Sequence, residues 1–192
     1  MTNETNKYHA ALIERIEAAK IDNVSEANLK KLQKMRDICA HSEVANMFER
    51  CDVDETRFAR AIYASEKAIR FAALIINHKD ALNNVMMHAA FRTAINCYRH
   101  DAKLYYRDIE QACSASSEVS DERKHLVYKR KTHKATSTTN AQKQSSLDAL
   151  KTLNIIKACD VEKDAYIVNL NEIAERICKV FNIDTTKAAE AA

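Results

Sequence analysis

Neither glycine nor proline occurs anywhere in this chain of 192 residues. Glycine normally supplies the left-handed backbone conformation of tight turns, and proline commonly ends helices, so this chain has to turn at other residues. Asn, Asp, Ser and His are left to make its turns. Glycine and proline are also the two residues that disfavour a helix most strongly. The sequence therefore predicts a mainly α fold.

Hydrophobic residues make up 46% of the chain, which is enough at this length to bury a core. The first residues, MTNETNKYHAAL, contain neither the basic nor the apolar segment of a signal peptide. The sequence has no run of about 18 consecutive apolar residues, the length that a membrane span needs. We expect a cytosolic protein that does not contact a membrane.

The six cysteines are spread along the chain without any CxxC pair. This spacing favours reduced thiols that pack as small apolar groups. Cys97 and His100 are three residues apart and share a helical face, but no second pair of ligands follows at a suitable spacing. A chain without glycine also lacks the P-loop, the Rossmann fingerprint and the nucleophile elbow. We therefore predict no metal, no cofactor and no metabolic enzyme.

The N-terminal part of the chain has the pattern of successive amphipathic helices. In residues 6–20 the apolar side chains recur on one helical face, and Ser25 stands at the N-cap position of a second helix. A long helix is predicted from Asp80 through Tyr98 to Ile109. Such helices bury their apolar faces against one another, so we expect an antiparallel bundle over residues 1–113. A homodimer or another protein partner would contact these helices.

The composition changes at residue 113. Apolar residues are sparse up to residue 146, and Ser and Thr cluster at both ends, which predicts a polar basic linker over residues 114–137. Six cations within it have no carboxylate between them: Arg123, Lys124, Lys129, Arg130, Lys131 and Lys134. Cations attract a phosphate backbone by displacing counterions, and Tyr128 is suited to stacking on a base. A solvated linker explains the same charges, so both interpretations stand.

Residues 147–170, LDALKTLNIIKACDVEKDAYIVNL, change from helical spacing to two β-type runs. We predict a helix over residues 141–153, strands at 155–159 and 165–170, and a last helix over 171–181. The polar connection DVEKD makes the two strands a hairpin. Asn154 stands where the first of these helices must end, and Asn tolerates the left-handed conformation that glycine would otherwise supply.

The stretch QKQSSLDALKTLNIIKACDVEKDAYIVNL resembles the recognition helix and wing of winged helix-turn-helix DNA-binding domains. Those domains show a helix start rich in Ser and Thr, leucines at LxxL spacing, a small turn residue and a hairpin with a charged tip. The similarity extends over residues 138–181. It implies a winged-helix-like unit over residues 138–192 that binds duplex DNA.

The resemblance also implies which residues form the interface. The exposed face of the 141–153 helix would enter the major groove, where Gln pairs with adenine and Lys with guanine. Its candidate residues are Gln142, Lys143, Gln144, Ser145 and Ser146. Phosphates would be neutralised by the wing tip and the upstream cations, namely Lys163, Lys124, Lys129, Arg130, Lys131 and Lys134. The apolar positions would form the core: Leu147, Leu150, Leu153, Ile156, Ile167, Leu170 and Ile177.

A second stretch, MRDICAHSEV at residues 35–44, resembles the R-x4-H motif of HEPN ribonucleases, in which a polar residue follows the Arg. The matching residues are Arg36, Asp37 and His41. The resemblance implies an all-helical dimer in which two copies of the motif meet. In such chemistry His41 would act as general base toward a ribose 2′-hydroxyl, and Arg36 would stabilise charge on the phosphate.

Three classes of function follow from these patterns. The first is a non-enzymatic DNA-binding protein, a regulator or a replication accessory protein, which contacts duplex DNA through the 141–153 helix and the basic run at 123–134. The second is an all-helical structural or inhibitory protein of a mobile element such as a phage or plasmid, which works by shape as an assembly factor, capsid scaffold or anti-defence protein. The third is a HEPN-type ribonuclease. The first is our expectation.

Overall fold

The computed structural model describes residues 6–55, 57, 62–73, 85–114, 117–129 and 137–188. In this part of the chain eight α-helices accompany a three-stranded antiparallel sheet, which confirms the mainly α fold with a hairpin. The helices are α1 Lys7–Ile21, α2 Glu26–Cys39, α3 Ser42–Arg50, α4 Ile62–Ala72, α5 Val85–Arg99, α6 Tyr106–Cys113, α7 Ser137–Thr152 and α8 Glu172–Phe181. The strands are β1 Leu104–Tyr105, β2 Ile156–Ala158 and β3 Ala165–Val168, and a 3-10 turn covers Asp121–Arg123. None of the described helices is long and apolar enough to cross a bilayer.

Asn and Asp make the left-handed turns of this glycine-free chain. Every described residue with a positive φ is one of these two types, and the angles lie between 50° and 57°. The residues are Asn23, Asp52, Asp101, Asn154, Asp164 and Asn182. Short polar side chains tolerate this region better than other residues with a Cβ do. The left-handed conformation predicted for Asn154 is confirmed, and one residue, Leu153, separates it from the end of α7.

The hairpin of β2 and β3 forms as predicted, and the sequence did not indicate its third strand. β3 lies in the middle of the sheet, with Lys157 opposite Ile167 on one side and Leu104 opposite Tyr166 on the other. The helix predicted to continue to Ile109 is therefore wrong beyond Arg99. The chain turns at Asp101 and pairs two residues with β3 before α6 begins. The predicted start of that helix, at residues 80–84, lies outside the described residues.

One cluster of buried residues extends along the chain from Tyr8 to Cys178, so the segments before and after residues 114–137 share a core. α4 packs along α7, and α5 and α6 contact α7 as well. The description of a polar linker is wrong for residues 117–129, because Leu126 and Val127 are buried there. Of the predicted core residues of the C-terminal unit, Ile167 is 57% exposed, although Ala165 and Tyr166 before it on β3 are both buried.

We predict that Asn154→Ala lowers the free energy of unfolding by about 2 kcal/mol in urea denaturation. Alanine in a left-handed conformation costs about 1–2 kcal/mol. The substitution also removes the hydrogen bond that Asn154 Nδ2 donates to the Cys51 carbonyl at 2.9 Å, which is worth about 1 kcal/mol. Asn154→Gly loses the hydrogen bond but keeps the backbone conformation, so its loss should be smaller. Equal losses in the two variants would contradict this account.

Candidate functional site

Helix α7 was expected to present a row of polar side chains to the major groove. In the structure Ser146 is fully buried and Lys143 is only 9% exposed, so the expectation is wrong for both of these residues. Gln144 is exposed, whereas Gln142 and Ser145 are half-buried. The reason is that α7 has neighbours on more than one side, because α4 packs along it in addition to α5 and α6.

Lys67 of α4 holds the buried side of α7. Its side chain is 4% exposed, and Nζ donates hydrogen bonds to the Gln142 carbonyl at 2.7 Å and to Ser146 Oγ at 2.8 Å. Both acceptors are neutral. Burial lowers the pKa of Lys67 from 10.5 to about 8, because the charged form loses hydration. The contact between α4 and α7 thus contains a buried ammonium group.

Lys143 connects α7 to α6. Its Nζ donates to Glu110 Oε1 at 2.5 Å and lies 5.4 Å from the centre of the Tyr106 ring. This ion pair joins residues that are distant in sequence, and the Lys143 side chain is 11% exposed whereas that of Glu110 is 43% exposed. Lys143 therefore fastens α7 to its neighbour and is not displayed to a partner.

The side of α7 that the other helices leave open carries Gln144, Asp148 and Lys151. These residues follow one another at helical spacings of four and three, which places them on one face. Gln144 Nε2 lies 3.1 Å from both carboxylate oxygens of Asp148. Lys151 Nζ lies 4.7 Å from the centre of the Tyr166 ring on β3. The open face is therefore mixed in charge.

Arg123 belongs to the predicted basic run, but its guanidinium is used inside the protein. It contacts the carboxylate of Asp108 through Nε at 2.7 Å and through Nη2 at 2.5 Å. Nη2 also donates to the Lys103 carbonyl at 2.9 Å. Asp108 is 1% exposed and accepts a further hydrogen bond from the Tyr105 N–H at 2.7 Å, which caps α6. This buried pair attaches the 117–129 segment to the start of α6.

The other predicted phosphate contacts are exposed where the structure describes them. Lys124 is paired with Asp121, Lys129 donates to the Ser117 carbonyl, and Lys163 lies exposed in the hairpin turn. Arg130, Lys131 and Lys134 lie outside the described residues. Of the basic run, Lys124 and Lys129 are thus exposed in the part of the chain that the structure describes.

Two side chains near the predicted interface, the aromatic Tyr128 and the acidic Glu162, have partners within the protein. Tyr128 packs beneath the guanidinium of Arg92, 4.8 Å from its ring centre, so that side of its ring is covered. Glu162 in the hairpin turn pairs with Lys103 at 2.7 Å. Hydrogen bonds from Lys103 and Tyr105 lower the pKa of the Glu162 carboxyl. One acid of the wing tip is therefore neutralised by a cation.

The R-x4-H residues do not share one helix. Arg36 lies in the last turn of α2 and contacts the adjacent Asp37 at 2.7 Å, whereas His41 is the N-cap residue of α3. In the family the motif begins the last helix of a bundle, but here it ends the second described helix. Within the described residues, no group of three or more His, Cys, Asp or Glu side chains is placed to hold a metal ion. All six cysteines are free thiols.

Sequence reasoning did not single out Lys67 or Asp108, although each has a local signal. Lys67 lies, with Glu66 and Arg70, in the otherwise small and apolar stretch AIYASEKAIRFAA, where a charge on a buried helix needs an acceptor. Asp108 stands three residues after the residue that precedes α6, which is the position of a capping carboxylate. Their partners lie too far away along the chain for these patterns to identify them.

We predict that Arg123→Gln lowers the free energy of unfolding by about 3 kcal/mol, because it leaves the Asp108 carboxylate buried without its cation. Lys124→Gln is the matched control. It removes the same charge from the next residue, where the ion pair is exposed, and should change stability by less than about 1 kcal/mol. Urea denaturation of both variants checks this. Similar effects for the two would show that the Asp108 pair is not specifically stabilising.

We also predict a pH dependence that Lys67 alone introduces. Between about pH 8 and 10.5 the unfolded chain retains a proton that the folded chain has released, so the contribution of Lys67 to stability rises with pH in this window. The free energy of unfolding of the native protein, minus that of Lys67→Met, should rise by about 3 kcal/mol across it. Ionisation of the other thiols cancels in this difference, whereas burial raises the pKa of the nearby Cys113 thiol and Lys67 itself lowers it. A flat difference would mean that the ammonium group reaches water.

No protein-family model matches this chain, nor does any curated protein or solved structure.

Proposed function

We propose that this chain is a cytosolic protein that binds duplex DNA as a winged helix-turn-helix. The observation that carries the proposal is the order and pairing of the elements between residues 85 and 168. They follow one another as helix α5, strand β1, helix α6, helix α7 and the hairpin of β2 and β3, with β1 added to the hairpin through β3. This is the order of elements of a winged helix-turn-helix.

The structure supports a role for α6 that the sequence did not suggest. A recognition helix needs a preceding helix packed against it. α6 contacts both α5 and α7, and Glu110 of α6 pairs with Lys143 of α7. Residues 114–136 separate α6 from α7 in sequence, but the two helices are neighbours in space. The long connection between them would then be an insertion in the helix-turn-helix, and it contains the basic run.

The placement of charges also favours a nucleic acid. In the sequence the basic run precedes α7, and the exposed Lys129 and Lys163 stand before and after that helix. Gln144 is the predicted base-contacting residue that is exposed on α7. Cations beside an accessible helix supply the phosphate contacts that position a protein on DNA, while polar side chains on the helix read the bases.

A second candidate function is a protein that acts by shape, such as an assembly factor or inhibitor. The burial of Lys143 and Ser146 favours it, since α4 covers part of the helix that would enter the groove. Large apolar side chains are also exposed on the N-terminal helices, with Ile21 81% and Tyr63 62% accessible. Such side chains are suited to a homodimer or to another protein partner.

A mobility-shift titration on mixed-sequence duplex DNA at two salt concentrations tests the proposal. The test variant changes Lys129, Arg130, Lys131 and Lys134 to Gln, and the matched control changes Lys20, Lys30, Lys34 and Lys179, which are exposed on other helices, to Gln. We expect the native protein and the control to bind, with affinity falling steeply as salt rises. The test variant should bind at least about tenfold more weakly and show a shallower salt dependence, because fewer counterions are released.

Equal losses in the two variants would indicate a response to net charge rather than to the basic run. No binding of duplex DNA at low salt would overturn the proposal. In that case we expect the native chain to form a dimer or to bind another protein. Light scattering and cross-linking of the native chain measure this.

A further inference from the structure

A cavity of about 340 Å³ lies where the start of α6, the 3-10 turn and the end of the hairpin meet. Its volume is within the range of small-molecule sites. The side chains around it include Tyr105, Tyr106, Arg107, Ser120, Arg123 and Asp164. Apart from Arg123 of the basic run, whose guanidinium is paired with Asp108, none of these was a candidate for base reading or phosphate contact. The cavity is therefore a separate feature of the molecule.

Most charges around the cavity are already neutralised. Arg123 is paired with Asp108, and Glu162 in the neighbouring hairpin turn is paired with Lys103. Arg107 and Asp164 differ from these, because neither forms an ion pair within the described residues. Both are exposed. The cavity thus offers one cation and one anion to a ligand.

The backbone holds these two residues near each other. The Tyr106 N–H donates to the Asp164 carbonyl at 3.0 Å, so the residue that precedes Arg107 is bonded directly to Asp164. Asp164 has a φ of 57°, the left-handed conformation in which the hairpin turn ends just before β3 begins. The buried pair of Asp108 and Arg123 fixes the adjoining wall, and the Arg123 guanidinium lies 4.8 Å from the centre of the Tyr105 ring. These contacts fix the backbone that carries the charged side chains of Arg107 and Asp164.

We propose that this cavity binds a small zwitterion of the α-amino-acid class. The ligand carboxylate contacts the Arg107 guanidinium, the ligand ammonium contacts the Asp164 carboxylate, and the ligand side chain packs along Tyr105 and Tyr106. The Ser120 hydroxyl supplies a further polar contact. A phosphate-bearing ligand fits less well, since Asp164 repels it, and a simple cation is repelled by Arg107. A molecule that carries both charges satisfies both residues.

Calorimetric titration of the full chain tests this, first with a pool of the standard α-amino acids and then with each of them alone. We expect saturable binding of one molecule per chain for at least one of them. Arg107→Gln and Asp164→Asn should each weaken binding by about tenfold or more, because each removes one charged hydrogen bond. Asn tolerates the left-handed backbone at residue 164, so the second variant keeps the turn. Arg57→Gln and Asp160→Asn, which remove the same charges outside the cavity, should bind like the native protein.

Probes that lack one charge make the test independent of the variants. The N-acetyl derivative of the bound amino acid has no ammonium group and its amide derivative has no carboxylate, so both should bind the native protein more weakly. Asp164→Asn should weaken the N-acetyl probe no further, since the contact it removes is already absent. The proposal is overturned if no amino acid binds, if the probes bind as tightly as the parent compound, or if the cavity variants behave like the controls. None of these measurements requires DNA binding.

Discussion

Helix α7 is the element on which the rest of the described structure depends, because three helices from the N-terminal and central parts of the chain pack against it. α4 of the N-terminal part and α5 and α6 of the central part all contact it. Two lysines fasten it, Lys67 from α4 and Lys143 from α7 itself, and both are almost entirely buried. Leu147 and Leu150 add the apolar side of the same contacts. The N-terminal helices and the hairpin unit are consequently parts of one packed body.

This position of α7 bears directly on function. A helix that reads DNA must keep one face open, and here the open face is narrow and carries Gln144, Asp148 and Lys151. The order of elements from α5 to β3 supports DNA binding, whereas the cover that α4 provides supports a protein that acts by shape. The two functions differ in what the basic run contributes. In a DNA-binding protein the basic run would contact phosphates, whereas in a protein that acts by shape it would be a solvated surface.

A second joint forms where β1, the start of α6 and the 117–129 segment meet the hairpin. Two short pairings between β1 and β3 bring the hairpin against α6, and the buried carboxylate of Asp108 binds Arg123 from the 3-10 turn. The joint has a structural consequence, because Arg123, the first cation of the basic run, is paired there with Asp108. It also has a chemical one, because it leaves Arg107 and Asp164 with open charges beside a cavity.

The sequence by itself determined the elements whose causes are local. Missing glycine and proline indicated helices, Asn154 indicated a left-handed turn, and the β-type runs indicated a hairpin, since backbone preferences act over a few residues. Tertiary structure alone decided which polar positions are covered. Lys143 and Ser146 had the pattern of an exposed face, and α6 and α4 bury them through partners 33 and 79 residues away. Strand β1 likewise exists only because β3 lies beside it, and the exposure of Ile167 depends on which parts of β3 the helices cover. A periodic pattern identifies a face, but the choice of what packs on that face depends on contacts between distant segments.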